Sequence, residues 1–239
     1  GAALMYEKGY KIIAISDMGV NQEISPSYLQ KYEKDIRAAK IVTFDANIPL
    51  ESMEKLVTYS QSLWFEPTSA AKSVKACTPK LLNALTYASP NIHELLAMLT
   101  KIEPSYNNTG TDIPACMQHS TALLEKSAIQ NLIVKMGSNG VLLASTQPLS
   151  SPENTMTSTS KSGNTYYFRH FPPPRVSRIA SVTGAGDSLV GATLWAMSNG
   201  FSLEKGIEFG LKAAKLSLES SHAVSPLLSA GFLESYHEK

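Results

Sequence analysis

The sequence predicts an α/β fold built on a doubly wound, mainly parallel sheet with helices on both faces. Short apolar stretches alternate with helical patterns of about ten residues or more, which is typical of βαβ units. The chain has 239 residues, the size of one large α/β domain. Its composition, 43% hydrophobic and 17% charged, is sufficient for a full core. Ligands of such folds bind beyond the carboxyl ends of the strands.

The first third of the chain alternates between strand and helix patterns. Residues 10–16 (YKIIAIS) and 41–44 (IVTF) are apolar runs of strand length, and 27–40 has the spacing of an amphipathic helix. Pro49 begins the next helix, because proline is favoured in a first helical turn. Residues 63–65 (LWF) form a third strand, in which Trp64 and Phe65 are predicted to be core residues.

The same alternation continues to the C-terminal part. The further predicted strands are 85–88, 132–136, one beginning at Gly140 (VLLAS) and 178–182, and the further predicted helices are 91–100, 115–128, 188–198 and 208–216. Residues 147–164 are rich in Ser, Thr, Pro and Asn without apolar periodicity, and predict a flexible loop insertion within a single domain that spans 1–239.

Composition excludes several function classes. The 21 basic and 20 acidic residues nearly balance, so neither a nucleic-acid partner nor an anionic membrane surface is expected. Cys77 and Cys116 do not indicate a disulfide framework, and the five histidines lack zinc-site spacing. No apolar run approaches the length that spans a bilayer. The expectation is a cytoplasmic protein.

Residues 181–194 (SVTGAGDSLVGATL) contain the most informative motif. Gly184, Ala185 and Gly186 lie where a strand is predicted to turn into a helix, so their backbone N–H groups can bind an anion at the positive helix end. Asp187 follows at once, where it can accept a proton from a phosphoryl acceptor. The alternative is an ordinary Gly-rich turn with Asp187 as the capping residue.

Residues 89–94 (SPNIHE) place Asn91 and Glu94 one turn apart at the start of a predicted helix. An amide and a carboxylate in this arrangement can organise Mg²⁺ and phosphates, with Glu94 acting through water. The alternative is a capping box, in which Asn91 is the N-cap and Glu94 the third helical residue.

These segments resemble the ribokinase-like (PfkB) carbohydrate kinase family. In that family the Asp of the GAGD motif is the catalytic base and the preceding small residues form the anion hole, which implies these roles for Asp187 and for Gly184, Ala185 and Gly186. The resemblance assigns magnesium and phosphate binding to Asn91 and Glu94. It implies ATP contacts for Lys135, Gly137, Ser138, Gly140 and Thr183.

Three positions depart from the family pattern. Thr193 replaces a usual apolar residue, and Lys135 stands where Thr is frequent. Ser181 stands where relatives carry an Asp that helps hold a monovalent cation, so potassium activation is left open. The turn at 137–140 can also be a simple β-turn, and Ala213 and Ala214 fit helix packing as well as an adenine-flanking helix.

The substrate prediction depends on two further segments. Phe44 to Asn47 (FDAN) and 63–69 (LWFEPTS) resemble the pseudouridine kinase branch, which implies transfer of the γ-phosphate of ATP to pseudouridine, giving pseudouridine 5′-phosphate. Asp45, Asn47 and Glu66 follow predicted strands and are candidate substrate-side residues, although Asp45 can equally be a solvated loop carboxylate. Adenosine, ribose and fructose are alternative acceptors of the same chemistry.

The family also has an N-terminal segment with early strands, part of a lid and a Gly-Gly sugar-binding motif, which this sequence lacks. We therefore expect a ribokinase-like fold without those strands and most of the lid, and with an exposed sheet edge at which a homodimer can form. The alternative function is a catalytically weak nucleotide-binding protein that acts through a partner. A dinucleotide-dependent dehydrogenase is disfavoured because no G-x-G-x-x-G begins the first βα unit.

Overall fold

Two sheets form in the part of the chain that the computed structural model describes, residues 2–5, 11–15, 19–229 and 231. The strands, in chain order, are β1 (Ala2–Met5), β2 (Lys11–Ile15), β3 (Val42–Asp45), β4 (Leu63–Glu66), β5 (Tyr87–Ala88), β6 (Asn131–Lys135), β7 (Val141–Ser145), β8 (Met156–Thr159) and β9 (Thr165–Phe171). β1 and β2 pair antiparallel. The others form a seven-stranded sheet in the order β3-β4-β5-β6-β7-β9-β8.

The sheet from β3 to β6 is parallel, whereas β6–β7 and β8–β9 are antiparallel pairs. The helices are α1 (Pro26–Gln30), α2 (Glu33–Ala38), α3 (Leu50–Leu56), α4 (Ala70–Ser73), α5 (Pro79–Leu82), α6 (Ile92–Ile102), α7 (Ile113–Glu125), α8 (Ala185–Ser198) and α9 (Leu203–Leu218). The predicted α/β class with a mainly parallel sheet is confirmed.

The chain falls into two compact units. One contains the described residues of 1–17 and 171–239, and the other those of 18–170. The β1–β2 hairpin, α8 and α9 belong to the first unit, and β3 to β8 with α1 to α7 belong to the second. The prediction that 1–239 forms a single domain stays a prediction.

The core of the second unit lies around its central strands. All residues of β7 are buried, as are the three inner residues of β6, so these strands are covered on both faces. Trp64 and Phe65 are fully buried, as predicted, and Phe168 joins them among the largest buried side chains. β3 lies at one edge of the sheet and β8 at the other.

The prediction of a flexible loop at 147–164 is wrong for its central part. Met156–Thr159 forms β8 and pairs antiparallel with β9, in a register that places Thr157 opposite Tyr167. The β-branched Thr157 and Thr159 favour extended backbone. Because β8 is an edge strand whose residues are all half-buried or exposed, it lacks the apolar run that would have identified it.

The predicted strand at 178–182 is also absent from the structure. The amides of Ala180 and Ser181 donate to the carbonyl oxygen of Leu218 at 2.8 and 3.3 Å, at the C-terminal end of α9. The segment is therefore held by a helix end, and its backbone does not pair with a strand.

The predicted helix at 27–40 is divided into α1 and α2. The amides of Lys31 and Tyr32 donate to Tyr28 and Leu29, at 3.1 and 3.0 Å, three residues back along the chain. Such bonds tighten the last turn of a helix and end it. For the predicted strand 10–16, β2 confirms the inner residues, while positions 10 and 16 lie outside the described residues.

Candidate active site

Predicted site residues of the second unit lie at the carboxyl ends of parallel strands. Asp45 ends β3, Glu66 ends β4 and Lys135 ends β6, and parallel strands end at the same edge of a sheet. Asp45 and Glu66 are direct partners in the β3–β4 register. Asn91 forms an isolated parallel bridge with Lys135. The sheet thus brings these predicted residues to one edge.

Glu66 is the centre of a hydrogen-bonded chain at this edge. Lys135 Nζ donates to Glu66 Oε1, and Ser89 Oγ donates to Glu66 Oε2. The indole Nε1 of Trp64 donates in turn to Ser89 Oγ at 2.6 Å. The side chains of Lys135 and Glu66 are only 17% and 15% exposed, so this ion pair is much less solvated than a surface pair.

The electrostatic environment of Glu66 reflects two opposed effects. Burial raises the pKa of the Glu66 carboxyl above its ordinary value, because the charged form loses water. The charge and hydrogen bond of Lys135, and the hydrogen bond from Ser89, act in the opposite direction, while the nearby charge of Glu94 adds to the rise. The charges of Glu66 and Lys135 therefore stabilise each other in this buried position.

A second hydrogen-bonded chain begins at Asp45. Its Oδ1 accepts from the backbone amide of Asn47 at 2.9 Å, and its Oδ2 accepts from Asn47 Nδ2 at 2.6 Å. Lys72 Nζ donates to Asn47 Oδ1 at 2.5 Å. Lys75 Nζ contacts the same loop through the carbonyl oxygens of Ala46 and Ile48, at 3.0 and 3.3 Å.

Asn91 and Glu94 form the capping box that the sequence offered as an alternative. The Asn91 side chain accepts from the backbone amides of His93 and Glu94, and Glu94 Oε2 accepts from the Asn91 amide at 2.7 Å. Glu94 is buried, with 3% of its surface exposed. The box fixes where α6 begins and holds the Glu94 carboxylate beside the first helical turn.

The fit of this carboxylate to Mg²⁺ can be judged from its surroundings. The described residues contain no cluster of three or more His, Cys, Asp and Glu side chains. Mg²⁺ does not need one, because it keeps several waters and takes one or two carboxylates together with substrate phosphates. A single Glu94 at a fixed helix start fits such a site.

Replacing Asn91 separates its capping role from a role in phosphate binding. Asn91→Ala is expected to lower the free energy of unfolding by about 1 kcal/mol, because the first-turn amides lose their acceptor. Asn91→Asp should preserve that stability, since Asp is an equally good N-cap, but should weaken ATP binding by adding negative charge. Chemical denaturation and calorimetric ATP titration measure the two effects. Unchanged ATP affinity in Asn91→Asp would limit Asn91 to capping.

The glycine turn after β6 connects it to β7 as a hairpin. Gly137 and Gly140 have positive φ angles of 59° and 82°, which explains glycine at both ends of the turn. The amide of Met136 donates to Gly140 O at 2.8 Å and closes the turn. Ser138 lies within the short 3₁₀ turn Gly137–Asn139. The turn follows Lys135, at the edge of the sheet where α/β folds bind ligands. The ATP contacts of its residues stay a prediction.

In the first unit, the GAGD motif begins α8. Gly184 is the N-cap and has a left-handed backbone, with φ of 81°, while Ala185, Gly186 and Asp187 occupy the first helical turn. The three other helices longer than ten residues in the described chain are capped by the side chains of Asn91, Asp112 and Ser202. The first-turn amides of a helix have no partners within the helix, and at the start of α8 no side chain caps them.

Asp187 is exposed in the first turn of α8, three residues after the N-cap. The alternative that Asp187 itself caps the helix is therefore wrong, because Gly184 holds that position. A carboxylate at this end of a helix is favoured by the helix dipole, and its exposure leaves it accessible to a substrate.

The packing of α8 on α9 holds the motif in place. Ser188 Oγ and Ser217 Oγ are 2.7 Å apart and buried between the helices. Thr193 Oγ1 donates to Leu189 O at 2.8 Å, which explains how a polar residue is buried at this position. Ala213 is fully buried in the cluster with Ala192, Ala196 and Phe209, as the packing alternative predicts.

Ser181 and Thr183 form a small turn before the motif. The backbone amide of Thr183 donates to Ser181 Oγ at 3.1 Å, and Ser181 is buried. Potassium activation stays open, and the ATP contact of Thr183 and the homodimer stay predictions. Within the described chain, no helix has the length and apolar character needed to cross a membrane.

Sequence reasoning missed three participants at the strand edge. Ser89 and Trp64 are linked to Glu66, and Lys72 is linked to Asn47, through side-chain hydrogen bonds. Polar residues that directly follow strands are a usable signal for Ser89. Lys72 carries no such signal, because it does not directly follow a strand. It lies in α4, and the fold places that helix beside Asn47.

Three comparisons connect this chain to known proteins. The family model described as pfkB family carbohydrate kinase matches residues 2–230. A pseudouridine kinase from Arabidopsis thaliana is 28% identical over 246 residues, which cover 87% of this chain and 64% of that protein. The chain thus spans less than two thirds of the length of that curated relative.

Solved structures show the same fold. A ribokinase from Thermotoga maritima superposes with a TM-score of 0.75 at 22% identity, covering 98% of this chain and 68% of that one. A ribokinase from Arabidopsis thaliana, solved in complex with ribose and ATP, has a TM-score of 0.59 at 20% identity and covers 81% of this chain and 54% of that one.

Proposed function

This chain belongs to the pfkB family of carbohydrate kinases, and we propose that it transfers the γ-phosphate of ATP to a hydroxyl group of pseudouridine. The products are pseudouridine 5′-phosphate and ADP. The observation that carries the proposal is the start of α8, where an uncapped helix N-terminus and an exposed carboxylate lie within one turn.

The α8 start has the two functions that phosphoryl transfer needs. The acceptor oxygen forms a bond to the γ-phosphorus while the bond to the bridging oxygen of ADP breaks, and Asp187 takes the acceptor's hydroxyl proton. The backbone amides of Ala185 and Gly186 and the N-terminus of α8 stabilise negative charge on the transferred group. Gly184 permits the left-handed turn at which α8 begins.

The second unit contributes nucleotide and metal roles in this proposal. Asn91 and Glu94 would organise the phosphates, and Glu94 would be the residue that holds Mg²⁺. Bound Mg²⁺ would neutralise phosphate charge in the reaction. Lys135, Gly137, Ser138 and Gly140 are the proposed ATP contacts of the second unit. Thr183 is the proposed ATP contact of the first unit.

The choice of pseudouridine is supported by the FDAN and WFEPTS segments and by the Arabidopsis relative, whose name is pseudouridine kinase. The FDAN segment includes the end of β3, at the sheet edge where α/β folds bind ligands. Adenosine, ribose and fructose use the same transfer chemistry and are the competing acceptors.

ADP release from ATP and Mg²⁺ tests the proposal, with pseudouridine, uridine, adenosine, ribose or fructose added in turn. Uridine is the sharpest control, because it contains the same atoms as pseudouridine and differs in the bond that joins base to sugar. We expect kcat/KM to be at least about tenfold higher for pseudouridine than for any other acceptor.

The other outcomes of this assay are equally informative. A higher kcat/KM for ribose, adenosine or fructose would reject pseudouridine and keep the kinase. Binding of ATP without ADP release for any acceptor would favour the alternative of a catalytically weak nucleotide-binding protein that acts through a partner.

A further inference from the structure

Two hydrogen-bonded chains at the strand edge of the second unit each end on a lysine ammonium. We call each of these hydrogen-bonded chains a relay. The first relay runs from Trp64 through Ser89 and Glu66 to Lys135. In the second relay, Asp45 and Asn47 lead to Lys72. The two relays share no residue, yet both hold a long and flexible cation in one orientation.

The two relays lie side by side. Asp45 and Glu66 end neighbouring parallel strands and are direct partners in the register, and the amide of Ala46 donates to Glu66 O at 3.0 Å. Neighbouring strands of a sheet are about 4.8 Å apart. Asp45 and Glu66, one carboxylate from each relay, are therefore adjacent, at the end of the sheet where α/β folds bind ligands.

Lys72 is a cation at this edge whose described hydrogen bond does not go to a carboxylate. The carboxylates of Asp45 and Glu66 already accept hydrogen bonds from Asn47, Ser89 and Lys135. Lys72 is held by the neutral amide oxygen of Asn47, so its positive charge is not cancelled by that contact. An ammonium has three N–H donors, and each contact described uses one of them.

The position of Lys72 is fixed by its own helix as well. Ser69 caps α4 by accepting from the backbone amide of Lys72 at 3.3 Å. The preceding Thr68 has a φ of 62°, an uncommon conformation for a β-branched residue. A lysine ordered before its ligand arrives loses less conformational entropy on binding, which increases affinity.

We propose that Lys72 acts together with Lys135 as a pair of cations that bind the phosphate groups of the nucleotide. Asp45, Asn47 and Glu66 are then positioning residues that orient the two ammoniums, whereas the sequence had suggested that they face the acceptor. This inference rests on the proposed function, because it takes ATP as the source of the phosphates. Nothing in the family resemblance assigns a role to Lys72.

Calorimetric titration of ATP, ADP and AMP in the presence of Mg²⁺ tests the pair without requiring turnover. Lys72→Met is expected to weaken ATP binding by about ten- to a hundredfold, the usual effect of losing a charged hydrogen bond. AMP binding should change by less than about twofold. Lys72→Arg, which retains the charge, should recover most of the ATP affinity.

Lys135 needs a double variant, because its removal alone would leave Glu66 buried without its partner. Glu66→Gln combined with Lys135→Met removes both charges and should weaken ATP binding to a similar extent as Lys72→Met. Lys80→Met is the matched control in the same unit, since Lys80 is 48% exposed and 3.7 Å from Glu54. Its ATP affinity should equal that of the wild type.

The outcomes distinguish this inference from the proposed function. If the wild type binds ATP and Lys72→Met binds it equally well, the inference is rejected and the kinase proposal stands. If Lys72→Met weakens binding of ribose 5-phosphate and leaves ATP binding unchanged, the lysines serve the phosphorylated product and the inference is again rejected. If the wild type binds no nucleotide, both proposals fail.

Discussion

Asp187→Asn is expected to reduce the rate of ADP release by about 100- to 10,000-fold, the usual contribution of a general base. Asn has nearly the same size as Asp but cannot accept the acceptor's proton. ATP affinity should stay within about threefold of the wild type, because the first-turn amides and the fold of the α8 start are retained. Steady-state kinetics with pseudouridine and calorimetric titration with ATP measure the two effects.

Asp35→Asn is the matched control for this prediction. Asp35 is also an exposed Asp in the first turn of a helix, α2, but that helix contains no predicted site residue. Both variants lose a favourable interaction with a helix dipole, worth about 0.3–1 kcal/mol, so their stabilities should change alike. If Asp187→Asn releases ADP as fast as Asp35→Asn, Asp187 is not the base.

Much of the fold could be predicted because buried strands have strong sequence signals. The runs that became β4, β6 and β7 are almost wholly apolar, and each is buried in the structure. β8 was missed because an edge strand can be polar on both faces. The segment 178–182 has a strand-like composition, but its backbone amides bond to the end of α9, and the composition does not reveal that contact.

The candidate site was predictable in its residue types but not in its pairings. Residues that follow strands were identified because ligand sites of α/β folds gather there. Lys135 and Glu66, however, are 69 positions apart, and Lys72 and Asn47 are 25 apart. Such pairs depend on strand order and on where a helix begins, and neither can be derived from local periodicity.

The capping box at α6 shows that structural and functional interpretations of one motif can hold together. Asn91 and Glu94 satisfy the first-turn amides of α6, which is a sufficient structural reason for both residues. The same bonds also fix the Glu94 carboxylate, and a fixed carboxylate is what a metal or phosphate site requires. The Asn91 variants are therefore informative only when stability and ATP affinity are both measured.

Gly184→Ala is expected to be the most damaging single-methyl change in the α8 motif. The added Cβ would lie 1.9 Å from the carbonyl oxygen of Ala223, and the φ of 81° is strained for any residue with a side chain. Together the backbone strain and the overpacking should lower the free energy of unfolding by about 2–5 kcal/mol. ADP release should fall as well, because relieving the clash moves the amides of the proposed anion hole.

Gly191→Ala in the same helix separates this clash from a general effect of adding a methyl group. Gly191 is exposed in the middle of α8, and a Cβ there would meet nothing within 4 Å. This variant should be more stable than the wild type by about 0.5–1 kcal/mol, because alanine favours a helix more than glycine does. Urea denaturation measures both variants. Equal stability of Gly184→Ala and Gly191→Ala would mean that the left-handed turn does not have the geometry described, and would remove support for the proposed anion hole.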